Sequence, residues 1–281
     1  MKLPSVKFAA VALMALSTFA IPSRTCGQTT EPDQTPPADS SNSAPPQAPA
    51  GSSASQPTPD VDRSVSWKLL APNVFSDQKR IWTFPGRLGQ RKNWIPTVAV
   101  LGATAGLLAL DPHEARYFRR TTTFHEFNNI FTSNATAIGT IVAPVSLYGI
   151  GLIRKDVKMQ RTALLAGEAA IDAEILVTVL KETVGRVRPA SISPRGNFSD
   201  SWFENGTRGG SFPSGHTIVA FSIATVIARR YGNHRWVPYA AYGVASLVGF
   251  SRLSLSAHFA SDVFIGGVFG YSIGRFSVLR E

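Results

Sequence analysis

The sequence predicts an all-α protein: a bundle of six transmembrane helices, preceded by a signal segment and a disordered linker rich in proline and serine. Three observations predict it. Six apolar stretches follow residue 94. Charged residues make up only 16% of the chain, against roughly 25% in a typical soluble domain. No segment shows the alternation of a half-buried strand, and no repeat has a fixed period. With 281 residues, 44% of them hydrophobic, the chain is long enough to bury a sizeable core.

The elements follow in chain order. Residues 1–27 read as a signal peptide or N-terminal anchor: Lys2 and Lys7 precede an apolar run from Phe8 to Ile21, and a short polar stretch follows. Cleavage after Ala20 and after Gly27 fit equally well. Cys26 is the single cysteine, which excludes disulfide scaffolds, cysteine-based zinc sites and iron–sulfur clusters. Its predecessors Ser23, Arg24 and Thr25 form a poor context for lipidation. Residues 28–62 hold eight prolines among Ser, Ala, Thr and Gln. Such a composition cannot bury enough apolar surface to offset the entropy of ordering. Residues 63–94 mix Trp67, Phe75, Trp82 and Phe84 with Lys68, Lys79, Arg80 and Arg87. They suit an amphipathic interfacial segment or a surface helix packed on the core. Residues 95–281 form the expected main domain.

The apolar stretches run over 94–110, 134–153, 161–180, 216–230, 236–253 and 258–275. Each lies near the lower limit of about 17–25 residues for a spanning helix. Gly, Ala, Ser and Thr are frequent in them, which lets helices pack closely in lipid. The third stretch carries Glu168, Asp172 and Glu174. An ionised acid at mid-bilayer costs at least about 2.5 kcal/mol. Glu168 and Asp172, four apart, are therefore expected to face the bundle interior and to pair with a base. A soluble all-α domain is the competing explanation.

Net charge is +10, and residues 28–62 contribute five acids and no base, so the rest of the chain carries +15. That balance fits anionic lipid or phosphorylated substrates. No basic-aromatic stripe supports nucleic acid.

Three islands carry chemistry. In the first, Lys181 and Arg188 are seven apart, so both can project from one helix face that Pro189 then ends. Two cations at a helix end suit a phosphoryl group, or simply satisfy the helix carbonyls. The second is Gly209 through His216, leading into an apolar helix. Ser214 is placed as an N-cap, Gly215 permits close backbone approach, and free N–H groups at a helix start bind anions. His216 can donate a proton there, or merely pack. The third runs from Ser251 and Arg252 to His258 and Asp262. If helical, His258 and Asp262 face alike. The carboxylate can then hold one imidazole nitrogen protonated and leave the other free as a nucleophile. The same pair can also be purely structural. The combined inventory fits phosphoryl transfer with no metal and no cofactor.

The pattern resembles the tripartite signature of the type 2 phosphatidic acid phosphatase and vanadium haloperoxidase superfamily. That signature is Lys181, six residues, Arg188 and Pro189; then Pro213, Ser214, Gly215 and His216; then Ser251, Arg252, five residues, His258, three residues and Asp262. Spacers of 23 and 34 residues separate the islands. The resemblance implies His258 as the nucleophile, Asp262 as its orienting partner and His216 as the acid. It implies Lys181, Arg188, Ser214, Gly215 and Arg252 as the phosphate cradle. His113, His125 and His234 match no signature position and are expected to be surface or packing residues. Residues 111–133 and 190–212 are where selectivity is expected.

The implied activity is hydrolysis of a lipid phosphate or isoprenoid pyrophosphate through a phosphohistidine. The expected setting is an inner cell membrane with the site facing the periplasm. Basic residues 154–161 and 229–235 would then be cytoplasmic. An exported linker followed by six spans would instead place the site inside, so the two topological readings conflict. The alternatives are a soluble periplasmic acid phosphatase, a vanadate-dependent haloperoxidase and a non-catalytic lipid-phosphate binder. The sequence carries no signal for oligomeric state.

Overall fold

Each of the six apolar stretches folds as a helix. The computed structural model describes residues 63–87, 94–193, 195–199, 201–202 and 210–280. The expected signal segment 1–27 and linker 28–62 lie outside the described residues. The helices are α1 Leu70–Thr83, α2 Trp94–Phe118, α3 His125–Ile130, α4 Ser133–Ile153, α5 Val157–Val184, α6 Gly215–Arg230, α7 Trp236–Ser254 and α8 Ala260–Ser272. A π-helical turn, Ile273–Val278, extends α8. No strand occurs among the described residues. Two helices, α1 and α3, join the six expected from apolar patterning; neither has a long apolar run to announce it.

Local chemistry sets the helix ends. Thr132 Oγ1 accepts the Ala135 N–H at the start of α4. Asp156 Oδ1 does the same for Met159 at the start of α5. Gly185 closes α5 in the left-handed region, with φ of 55°, where glycine has no Cβ penalty. The stop therefore comes at Gly185. Pro189 instead opens a 3-10 turn, Pro189–Ser191. Lys181 is thus helical while Arg188 lies beyond the helix in extended backbone, and the two do not share a helix face as their spacing suggested.

The core is built around α6, which packs against α4, α5, α7, α8 and the π-helical turn. Eleven of its sixteen residues are buried, among them Gly215, Ala220, Ser222, Ala224 and Ala228. Ser222 donates to the Val219 and Ala169 carbonyls, and Thr225 to Phe221, so buried hydroxyls are satisfied by backbone. Gly266, Gly270 and Gly274, four apart on α8 and its extension, lie against α6. A Cβ at Gly266 would sit 3.0 Å from the Ser214 carbonyl oxygen. One at Gly270 would overlap the Ile218 carbonyl. This is the small-residue packing that brings backbones together in lipid.

The periphery is inverted relative to a soluble protein. Helices α2 and α4, with 25 and 21 residues, are long and apolar enough to cross a bilayer, and little of either is buried. Ile95, Val98, Leu101, Ile138, Ile141 and Val145 are exposed, as are Trp236 and Tyr239 on α7. Helix α1 turns its polar side inward. Asp77 is fully buried, while Phe75, Trp82 and the preceding Trp67 are exposed. Continuous exposed apolar surface on this scale marks a lipid or protein contact.

The inward side of α1 satisfies the acids of the third stretch. Asn73 Nδ2 donates to Glu168 Oε1 at 2.8 Å, and Gln78 Nε2 to Asp172 Oδ1 at 2.9 Å. Arg63 pairs with Asp77 at 2.5 Å and approaches Glu168 at 3.6 Å. Glu168 thus has a basic neighbour, whereas the hydrogen-bonding partner of Asp172 is an amide.

Gly270→Ala is expected to lower stability by about 1–3 kcal/mol, the usual cost of overpacking a tight core. A thermal unfolding curve of the detergent-purified variant beside the wild type checks it.

Candidate active site

Six helix ends meet at one end of the bundle, and every signature residue sits there. Helix α2 ends at it and α4 starts at it. Helix α5 delivers Lys181, α6 starts with Gly215 and His216, α7 ends with Arg252, and α8 starts two residues after His258. The antiparallel order of successive helices produces this convergence, since each second connection falls at the same end.

His258 is 3% exposed. It lies in the turn before α8 rather than on the helix, so the spacing of four to Asp262 is not a helical one. Its Nδ1 stands 2.6 Å from the Ser211 main-chain carbonyl oxygen and 3.9 Å from Asp262 Oδ2. A carbonyl only accepts, so Nδ1 carries the proton and Nε2 has the free lone pair. Asp262 acts one step further out. Its Oδ2 accepts from Ser211 Oγ at 2.5 Å and from the Phe259 N–H at 3.0 Å. The direct orienting acceptor is thus the Ser211 backbone, with Asp262 holding Ser211.

The other oxygen of Asp262 belongs to Arg186. This guanidinium, 2% exposed, donates to Asp262 Oδ1 at 2.5 Å, to Asp111 Oδ2 at 2.7 Å, and to the Ser261 and Ser201 hydroxyls. The rings of Trp202 and Phe259 lie against it, at 4.1 and 3.9 Å from Cζ to centroid. The first turn of α8 is capped by side chains from α2. Asp111 Oδ1 accepts the Ser261 N–H at 3.0 Å, and Glu114 Oε1 the Ala260 N–H at 2.8 Å. These carboxylates occupy the α8 start, which leaves the α6 start as the helix end next to the cations.

Lys181 Nζ lies 3.5 Å from where a Cβ on Gly215 would be. A side chain at 215 would therefore crowd the lysine, and glycine keeps the gap open. Ser214 occupies the N-cap position of α6, but its hydroxyl bonds the Thr217 hydroxyl at 2.8 Å instead of a backbone N–H. Arg252 is held by the Phe131 carbonyl at 2.8 Å, the Ser133 hydroxyl at 3.1 Å and Ser251 Oγ. His216 Nε2 lies 3.0 Å from the Ser133 carbonyl oxygen. The start of α4 thus braces both a cation and a histidine. An aromatic cluster of Phe118, Phe124, Phe127, Phe131 and Phe250 backs this segment.

Burial, then the charges of Arg188 and Lys181, push His258 well below the ordinary imidazole value. The residues expected from the signature converge here. Arg186, Ser211, Ser133, Asp111 and Glu114 are additional. Arg186 stood inside the first island as a third base between Lys181 and Arg188 and could have been singled out. Asp111 and Glu114 directly follow the first apolar stretch, 94–110, but bear no spacing relation to the islands.

Comparison with known proteins finds partial matches. Residues 161–280 match the model of the PAP2 superfamily. A lipid A 1-phosphatase of Porphyromonas gingivalis is 37% identical over 101 residues, 36% of this chain and 19% of that protein. A lipid A 1-phosphatase of Rhizobium etli is 33% identical over 105 residues, 37% of this chain and 43% of that protein. A probable diacylglycerol pyrophosphate phosphatase of Schizosaccharomyces pombe is 28% identical over 158 residues, 45% of this chain and 56% of that protein. The chain thus spans less than two thirds of each of these relatives. A crystal structure of a transmembrane PAP2-type phosphatidylglycerolphosphate phosphatase from Bacillus subtilis aligns at 21% identity with a TM-score of 0.38, covering 72% of this chain and 92% of that one. Residues 161–280 are thus similar to the PAP2 superfamily.

Proposed function

We propose that this protein is a membrane phosphatase that hydrolyses a phosphate monoester or diphosphate carried by a lipid, through a phosphohistidine on His258 and without a metal. One observation carries the reading: three cations and two histidines converge at the end of a bundle whose outer helices expose apolar surface. A lipid with its chains against α2 and α4 would present its head group at that end. The names of the relatives support this, since each acts on a lipid that bears phosphate.

The chemistry divides into two steps. Lys181, Arg188 and Arg252 neutralise the phosphate oxygens, and the N–H of Gly215, the first residue of α6, adds a backbone donor. His258 Nε2 attacks phosphorus. The N–P bond forms as the bond to the leaving oxygen breaks, and His216 gives that oxygen a proton. Water then attacks phosphorus, the N–P bond breaks, and His216 takes the proton from water. The His216 ring must exchange the Ser133 carbonyl for the leaving oxygen to do this. A phosphate dianion bound beside His216 favours the protonated ring.

The basic residues at the opposite end, Arg154, Lys155, Lys158 and Arg161 with Arg229, Arg230 and Arg235, favour that end as cytoplasmic. The site then faces the periplasm.

His258→Ala is expected to abolish phosphate release from a lipid phosphate, and the wild type to keep its rate in EDTA. A phosphate assay on folded protein checks both, and an EDTA-sensitive wild type restored by Mg²⁺ would overturn the metal-free mechanism. A lowered imidazole stays neutral, and so nucleophilic, to more acid pH. The acid limb of kcat/KM on a soluble phosphate ester is therefore expected below the ordinary value of 6.5. Arg188→Gln removes a lowering charge and should move the limb upward. Asp262→Asn is expected to cost about 1–3 kcal/mol of stability as well as turnover, because Arg186 loses a buried partner. Melting curves beside rates separate that outcome from an orienting role alone.

A further inference from the structure

We propose that the cavity beside the C-terminal end of α2 is a second phosphate site, which holds a lipid-borne phosphate other than the one cleaved. The inference rests on the lipid-phosphatase reading for its setting and deepens it by naming a substrate feature. The cavity, about 480 Å³, is open and lined by His113, Arg116, Tyr117, Arg120 and Thr121. His113, Arg116 and Tyr117 lie on one face of the last turns of α2, and Arg120 and Thr121 follow in the turn after it. The opposite face of the same two turns carries Asp111, Glu114 and Ala115, buried against the start of α8 and the loop at 198.

The lining has two guanidiniums, an imidazole, a phenol and a hydroxyl, and no carboxylate. Among the described residues, the side chains of His113 and Arg120 have no ion-pair partner. Paired guanidiniums with hydroxyl donors recognise phosphate, whose oxygens match the arginine fork. Position agrees as well. The cavity lies at the end of a helix long and apolar enough to cross a bilayer, at the level of lipid head groups.

The cavity also adjoins the candidate active site. The Arg116 guanidinium lies 5.8 Å from the Phe198 ring centroid, and Phe198 packs with Phe259, the neighbour of His258. Arg119, between the two lining arginines, donates to the Ile192 carbonyl at 3.4 Å. One aromatic layer thus separates this face from the nucleophile's turn. Residues 113–121 lie outside the stretch that matches the superfamily.

The phosphate has two sources: a second phosphate on the substrate molecule, or the phosphate of a neighbouring bilayer lipid. The test uses the full-length chain carrying His258→Ala, in which binding is read without turnover. Affinity is measured in neutral detergent for a lipid with two phosphates and for one with a single phosphate. It is measured again for the monophosphate lipid in nanodiscs with and without phosphatidylglycerol. Arg116→Gln with Arg120→Gln is compared in every arm, with melting curves to confirm folding. The same-molecule source predicts a loss of about tenfold or more for the two-phosphate lipid, and a change within twofold for the other. The neighbouring-lipid source predicts a loss that appears only with phosphatidylglycerol present. No loss in any arm, or an equal loss for both lipids in detergent, overturns the proposal. Wild-type turnover of the same lipids is assayed in parallel. Its absence would overturn the phosphatase reading while the binding result still decides the cavity.

Discussion

A single buried guanidinium ties the molecule together. Arg186 has almost no access to water, so its charge must be met inside the protein. Asp111 and Asp262 meet it from two sides, and Trp202 and Phe259 close the faces. These partners come from α2, from the loop before α6 and from the start of α8. Losing one of them would leave the others with uncompensated buried charge. The geometry around His258 follows from this arrangement, because Asp262 is fixed by Arg186 and in turn fixes Ser211, whose carbonyl holds the imidazole.

The polar groups are concentrated inside and the apolar surface is outside. Helix α1 is the clearest instance: Asn73, Asp77 and Gln78 point at the acids of α5, while Phe75 and Trp82 point away. In water such a helix would be turned the other way. The tight α6–α8 contact, built on glycines, fits the same environment, where packing and not water exclusion holds helices together.

Much of this was legible in the chain itself. Apolar runs located helices along the chain, but among the described residues only α2 and α4 are both long and apolar enough to cross a bilayer. Lys181, Arg188, His216, Arg252 and His258 were legible because fixed short spacings at helix ends bring them to one place. What failed was any inference needing the path of the chain between islands. The spacing of His258 and Asp262 looked helical, but the helix begins at Ala260, so the imidazole turns to a backbone carbonyl instead. Backbone acceptors leave no trace in residue identity. Asp111 and Glu114 were hidden for a different reason, since their partners are 150 and 146 positions away. Helix α1 lacked a signal because its buried side is polar.

Under the proposed function, the convergence of the candidate site residues at one end of the bundle makes the reaction one-sided. The opposite end, rich in arginine and lysine, carries no part of the cradle. A substrate of the proposed reaction would reside in the leaflet at the end that holds the cradle, and the liberated phosphate would enter the compartment on that side alone. A lipid made in the other leaflet is out of reach until something moves it across. Leaflet asymmetry, and not total lipid content, then sets how much substrate the protein meets.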